Sequence, residues 1–430
     1  MPSSIREFVM NHPLFCHHNH HYNFAGFDKE RDHYDYHSLL GYAWADLVTA
    51  AGARPPKDMD DPARVTAFWS QIKTTGYGRA VTLGCRELFN LEYSPENFPR
   101  ITQALQSLIK GKSAAQVYEY CDRQKANTRW VLNDPGIHGN DPAECQAGTY
   151  PDYYRFAWRM DHLFSLLDRG PIEVLQRATD ISITSLDRLI QAVNANITRM
   201  KTGAPFAAIK IGMAYLRDLT VADPTRHEAE AAFNQIVSRD NAREPTQENG
   251  GPVSSRQARP LGDYLFHRLM ERADDEDIPV QIHTGYLTGN WRALNHTKAS
   301  YLLPIFEKYR RLRFDLMHAS WPWTSELGAI AKHYPNVYPD LCWAWAMNPA
   351  ESERALSEWL DGVPHNKIFG YGADTGLPWC DVGYAMQARI GIARVLEQKI
   401  EAGYFSPQTA EEVAAAVMLH NGERFLSLQS

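Results

Sequence analysis

Short apolar runs separated by amphipathic stretches dominate this 430-residue chain. That is the pattern of β-strands alternating with helices around a buried parallel sheet. The first run, Pro13-Leu14-Phe15-Cys16, leads straight into histidines at 17, 18, 20 and 21. Later runs predict strands over Thr128–Leu132, Tyr154–Trp158, Phe206–Ile211, Ile278–Ile282, Arg313–Met317, Val337–Leu341 and Lys367–Tyr371. With the first run these make eight. Helical periodicity fills most gaps, as in Ser185–Met200, Pro260–Asp274, Ala299–Lys308 and Trp323–His333, and Pro407–Leu428 reads as a closing amphipathic helix pair.

Residues from about 28 to 125 carry helical pattern without a convincing strand, in pieces such as Leu39–Ala51, Asp61–Thr75 and Ala114–Gln124, punctuated by Pro55-Pro56 and Pro95. A stretch of roughly a hundred residues is too long for an ordinary loop, so a helical insertion after strand 1 is expected. The polar segment Arg239–Pro260, with Gly250-Gly251-Pro252, is expected to be a mobile surface loop. Eight strands with interleaved helices predict an α/β fold, a (β/α)8 TIM barrel spanning 1–430 as one domain. One extra or missed strand would instead give a doubly wound sheet.

Composition narrows the function. The formal net charge is −7, which argues against a nucleic-acid-binding stripe or a polybasic membrane anchor. A 44% hydrophobic and 22% charged chain is not wholesale disorder. No apolar run approaches the roughly 20 residues of a membrane span. The opening Met-Pro-Ser-Ser-Ile-Arg-Glu lacks a secretory pattern, so a cytoplasmic location is expected. Six scattered cysteines without CxxC spacing indicate neither a disulfide framework nor a thiolate zinc site. There is no GxxxxGK[ST], strand-linked GxGxxG or GxSxG, so phosphate-loop and serine-nucleophile chemistry lack support.

The 17 histidines do point somewhere. On a strand, alternate residues share a face, so His18 and His20 can chelate one cation, while His17 and His21 face the other way as packing residues. Polar residues recur where later strands end: Lys210 after an apolar run, His283 after Val280-Gln281-Ile282, His318 after Leu316-Met317, and Asp374 after Phe369-Gly370-Tyr371-Gly372-Ala373. The C-terminal strand ends form the active-site floor of such a barrel. Imidazoles with a carboxylate make an N/O donor set suited to zinc, manganese or iron.

The order HxH, Lys, His, His, Asp resembles the amidohydrolase superfamily of metal-dependent barrels. The helical stretch after HxH, with Tyr77-Gly78-Arg79 through Glu87-Leu88-Phe89, Trp158-Arg159-Met160-Asp161 and Val280–Gly285, resembles its amidohydrolase-2 and uronate isomerase branches. Two departures stand against sugar-acid isomerisation. His33-Tyr34-Asp35-Tyr36-His37 occupies the place of the isomerases' His-Tyr-Lys-Trp-Arg, and Thr-Gly-Leu-Pro follows Asp374 where they carry a serine-arginine pair.

The resemblance implies that His18, His20, His283 and Asp374 surround a principal divalent metal, zinc first, with one or two ions per chain. It implies that Asp374 takes a proton from water activated at the metal and passes it to the leaving group. His318 would either bind a second metal or polarise the substrate carbonyl. Lys210 would be a carboxylated bridge between two metals, a binder of a substrate carboxylate, or the partner of a core acid. Arg159 could clamp a substrate carboxylate or simply pair with Asp161, and Trp321 and Trp343 could stack on substrate or cover the mouth.

The expected activity is that of a metal-dependent hydrolase acting on a small carbonyl compound, with no nucleic-acid or membrane partner. Uronate isomerisation, non-oxidative decarboxylation and a catalytically silent binding barrel are the alternatives. Homo-oligomerisation is expected on general frequency alone.

Overall fold

In the computed structural model, which describes residues 4–53, 61–136, 141–238 and 253–428, a curled sheet of seven strands runs in strict chain order. The strands are β1 (Leu14–Asn19), β2 (Thr128–Asn133), β3 (Tyr154–Arg159), β4 (Phe206–Ile211), β5 (Val280–Ile282), β6 (Phe314–Leu316) and β7 (Val337–Pro339). Every neighbouring pair is parallel. The continuous apolar runs are explained by this placement, because helices cover the outside while side chains fill the inside.

The expected eighth strand, Lys367–Tyr371, is not a strand. Phe369 makes one isolated bridge to Asp340. Hydrogen bonds still tie this segment to both flanks. Leu341 N donates to Phe369 O at 2.9 Å and Trp343 N to Gly372 O at 2.8 Å, while His17 N donates to Tyr371 O at 3.0 Å. The regular ladder fails because Gly370 N is diverted to Val417 O at 2.8 Å and Asp374 takes a left-handed φ of 57°. Gly372 is required here: a Cβ would lie 2.5 Å from Cys342 Sγ.

Inside the sheet the side chains form levels. The lowest is apolar, with Phe15, Leu132, Ala157, Ala208 and Phe369 meeting Leu419 and Phe425 of the C-terminal helical segment. Above it runs a polar row set by register: Arg159 pairs with Lys210, Lys210 with Gln281, and Gln281 with Asp315. His20, His283 and His318 follow the last residues of β1, β5 and β6.

Between β1 and β2 the described residues are helical without a strand, including Ala43–Ala51, Asp61–Ile72, Gly76–Phe89 and Phe98–Ile109. Helix Gly76–Phe89 docks on helix Pro378–Glu401 through bare glycine; a Cβ on Gly383 would lie 2.0 Å from Ala80 O. Tyr77 of helix Gly76–Phe89 and Tyr42, which precedes helix Ala43–Ala51, both reach Trp343, with ring centroids 6.2 and 4.7 Å away.

Residues 239–252 of the expected loop, and Pro55-Pro56, lie outside the described residues. The rest of that loop is corrected: helix Ser255–Asp275 begins there, with Pro260 inside it. Its start signal is a capping box of Ser254 and Gln257, which satisfies two end groups of the helix reciprocally. Among the described residues no helix is long and apolar enough to cross a membrane.

Candidate metal centre

The pairing register of β1 is irregular between Cys16 and Asn19, and this irregularity decides where the histidines go. His18 and His20 meet at Nε2, 3.3 Å apart. His17, expected to face away with His21, instead packs inside between Phe15 and Phe369, with its ring 4.6 and 4.0 Å from theirs. The local β-irregularity puts consecutive side chains on one face, so strict alternation fails.

The remote nitrogen of each imidazole identifies its tautomer. His20 Nδ1 lies 2.8 Å from the Asp134 carbonyl, His283 Nε2 2.7 Å from the Tyr286 carbonyl, and His318 Nδ1 3.2 Å from the Cys342 carbonyl. Carbonyl oxygens only accept, so each of these nitrogens carries the proton and its ring partner is bare. The bare nitrogens converge. His283 Nδ1 faces His318 Nε2 at 3.1 Å. Asp374 Oδ1 lies 3.1 Å from His20 Nε2 and 3.8 Å from His18 Nε2, and Oδ2 is 3.8 Å from His318 Nε2.

Lone pairs facing each other at these distances repel unless a cation lies between them. The donor set therefore fits a divalent metal, with second-nitrogen hydrogen bonds of the kind that orient metal-binding histidines. Burial pushes the pKa of His18 and His283 well below the usual imidazole value and that of His318 down to about 3, so all three are neutral.

Backbone strain clusters at the same level. His318, Ala319 and Ser320 have φ of 64°, 54° and 48°, and Trp343 has φ of 61°. Non-glycine residues in this region cost about 1–3 kcal/mol each and persist where surrounding structure over-determines them.

The other expected site residues separate. Lys210 is fully buried with Nζ against Met317 Sδ, and the group of His18, His20 and Asp374 has its ligand atoms within 4.8 Å of one another. Burial first, then the Arg159 charge, lowers its pKa. Arg159 donates from Nε to Asp134 Oδ2 at 2.8 Å and lies 3.7 Å from Asp161 Oδ2. It also lines a cavity of about 400 Å³ with His20, Tyr22, Tyr42 and Thr375. Trp343 is buried edge-on to His318, 5.2 Å between centroids, and Trp321 packs on Tyr286 at 5.2 Å. Asp35 and His37 pair with each other, and Tyr36 stacks on Phe98.

Sequence reasoning missed Tyr42 and Gln281. Tyr42 comes from a helical stretch whose docking no local pattern reveals. Gln281 does carry a signal, a lone polar residue in the middle of a buried apolar strand.

Residues 243–428 match the family model described as amidohydrolase. The matched stretch is less than half of the chain. Uronate isomerase from Thermotoga maritima is similar in structure, with TM-score 0.76 at 14% identity over 98% of this chain and 96% of that one. Glucuronate isomerase from Caulobacter crescentus gives 0.73 at 15% identity over 99% and 93%. At such identities these likenesses show the fold alone. Protein fluG of Emericella nidulans is 27% identical over 176 residues, 40% of this chain; the match spans only 20% of that relative's own length. The likeness in fold to the two isomerases runs over nearly the whole length of this chain.

Proposed function

We propose that the chain is a metal-dependent hydrolase of amidohydrolase type acting on a small, carboxylate-bearing carbonyl compound. One observation carries this: the bare nitrogens of His20 and His318 face Asp374, and that of His283 faces His318, because hydrogen bonds to backbone carbonyls hold the opposite protons. A purely structural zinc site is usually closed by four protein ligands, whereas here His20 lines a cavity of about 400 Å³. The sheet would then be a (β/α)8 barrel, with the segment from Ile368 to Thr375 in the eighth position and the helical stretch before β2 as an insertion capping the mouth.

His18, His20, His283 and Asp374 would hold the cation, zinc first, with manganese or iron suited to the same donors. When bound, such a cation supplies Lewis acidity, polarising a carbonyl oxygen and lowering the pKa of water toward neutrality. Asp374 Oδ1 has no hydrogen-bond partner beyond the imidazole contacts, so it is the group to take a proton from attacking water and return it to the leaving atom. Arg159, held in place by Asp134, would bind the substrate carboxylate at the cavity wall.

The test is a screen of N-acyl amino acids, lactones, uronates and aromatic acids, with Zn²⁺ or Mn²⁺ supplied and metal content measured. Hydrolysis of one class is expected. Uronate isomerisation or CO2 release would replace the hydrolase reading, and full activity without metal would end the metal mechanism.

A further inference from the structure

Gln281 sits in the polar row between Lys210 and Asp315, wholly buried. Its Nε2 donates to the His17 carbonyl at 2.8 Å and to Asp315 Oδ2 at 2.7 Å. A backbone carbonyl cannot donate, so turning the amide over would set oxygen against oxygen and lose both bonds. The amide is therefore fixed, and Oε1 is held 3.2 Å from His18 Nδ1.

We infer that Gln281 is a positioning residue for His18: its Oε1 accepts from Nδ1–H, fixes that tautomer, and aims the bare Nε2 at the point shared with His20 and Asp374. This deepens, and rests on, the reading of the site as a metal centre. The other three imidazoles are oriented by carbonyls of Asp134, Tyr286 and Cys342, which substitution cannot remove. At His18 the same service comes from a side chain. The chain of contacts runs on downward: Asp315 lies with Asp340 and His17 in one buried group. Burial pushes the Asp315 carboxyl up to about 7 and raises that of Asp340, and Asp315 Oδ2 accepts from Gln281.

A merely structural glutamine would matter for folding and leave the metal alone. The decisive measurement therefore starts with metal-free protein labelled with ¹⁵N-histidine, the His18 signals being identified by their loss in His18→Gln. The proton should be on Nδ1. Zn²⁺ and Co²⁺ affinities are then measured for the wild type, Gln281→Met and Gln281→Glu, with Tm recorded for each. Gln281→Met should lose about 10–100-fold in affinity, the range carried by outer partners of metal-binding histidines. Gln281→Glu, which still offers an oxygen to Nδ1, should lose less.

A wild-type His18 protonated on Nε2 overturns the assignment, as does unchanged affinity in folded Gln281→Met. If that variant does not fold, the wild-type tautomer decides alone. A wild type that binds no cation defeats the metal-centre reading instead, and the tautomer still settles Gln281 separately.

Discussion

Two of the three histidine–aspartate groups to which residues 17–21 contribute, among the described residues, differ in a way that separates chemistry from architecture. His18, His20 and Asp374 form one; His21, Asp122 and Asp381 form the other, and in each the ligand atoms lie within 4.8 Å of one another. In the second group donors meet acceptors. The Tyr154 hydroxyl donates to Asp122 Oδ2 at 2.8 Å and accepts from His21 Nδ1 at 2.6 Å. His21 Nε2 lies 3.2 Å from Asp381 Oδ1, and Asn19 donates to Asp381 Oδ2 at 2.6 Å. In the first group nitrogen faces nitrogen. Both groups bring histidine and aspartate within the same 4.8 Å, two imidazoles in the first and one in the second, so the capacity to hold a cation is written in where the remote nitrogens are tied.

The contrast breaks most visibly at the two aspartates. Asp374→Asn should lower kcat by about 10²–10⁴-fold, the usual weight of a positioned proton-transfer group, with the fold retained by circular dichroism. Asp381→Asn should act chiefly on stability, because Asp381 ties Asn19 of β1 to Thr375 across the seam. Equal losses of turnover in both variants, at unchanged Tm, would erase the distinction.

Smaller in effect is the exchange of the histidines themselves. His20→Ala removes a ligand and should lower metal affinity by more than the about 10–100-fold carried by outer partners. His21→Phe should leave the metal content of purified protein near wild type while lowering Tm, since it strands the Tyr154 and Asp381 contacts. Metal analysis of the two variants side by side checks this. Loss of metal from His21→Phe would merge the groups into one network.

Much of this was legible in the sequence because strand ends are local features. The apolar runs before Lys210, His283 and His318 mark β4, β5 and β6 directly, and the HxH spacing marks β1. What was not legible depends on contacts between distant segments. The inward turn of His17 follows from a pairing irregularity, the diversion of Gly370 from a C-terminal carbonyl, and the tautomers of His20, His283 and His318 from carbonyls on other loops. The helix starting at Ser255 is different. Its capping box stands in the sequence, but the polar composition around Gly250-Gly251-Pro252 reads as loop up to Pro260, a proline that the helix holds inside its first turns.

The smallest effect tests whether the closed group keeps its own proton. Burial first, with Asp381 adding to it, pushes the Asp122 carboxyl up to about 7, against about 3.9 in an unfolded chain. Between those values the folded protein holds a proton that the unfolded chain has released. The stabilisation from this group is therefore full below pH 4 and lost as pH rises to 7. His21 acts in the same direction: burial lowers its pKa, but Asp381 outweighs this and raises it above the ordinary value. The proton belongs to the coupled group rather than to one residue. Asp122→Asn retains an oxygen for Tyr153 and Tyr154 and removes the titration. The variant should be less stable than wild type at pH 4.5, and the gap should narrow toward pH 7 by at most about 1.4 kcal/mol per pH unit. Paired thermal melts across that range read the difference directly. A gap independent of pH would mean that Asp122 is ionised throughout, and that the closed group balances its charges without a shared proton.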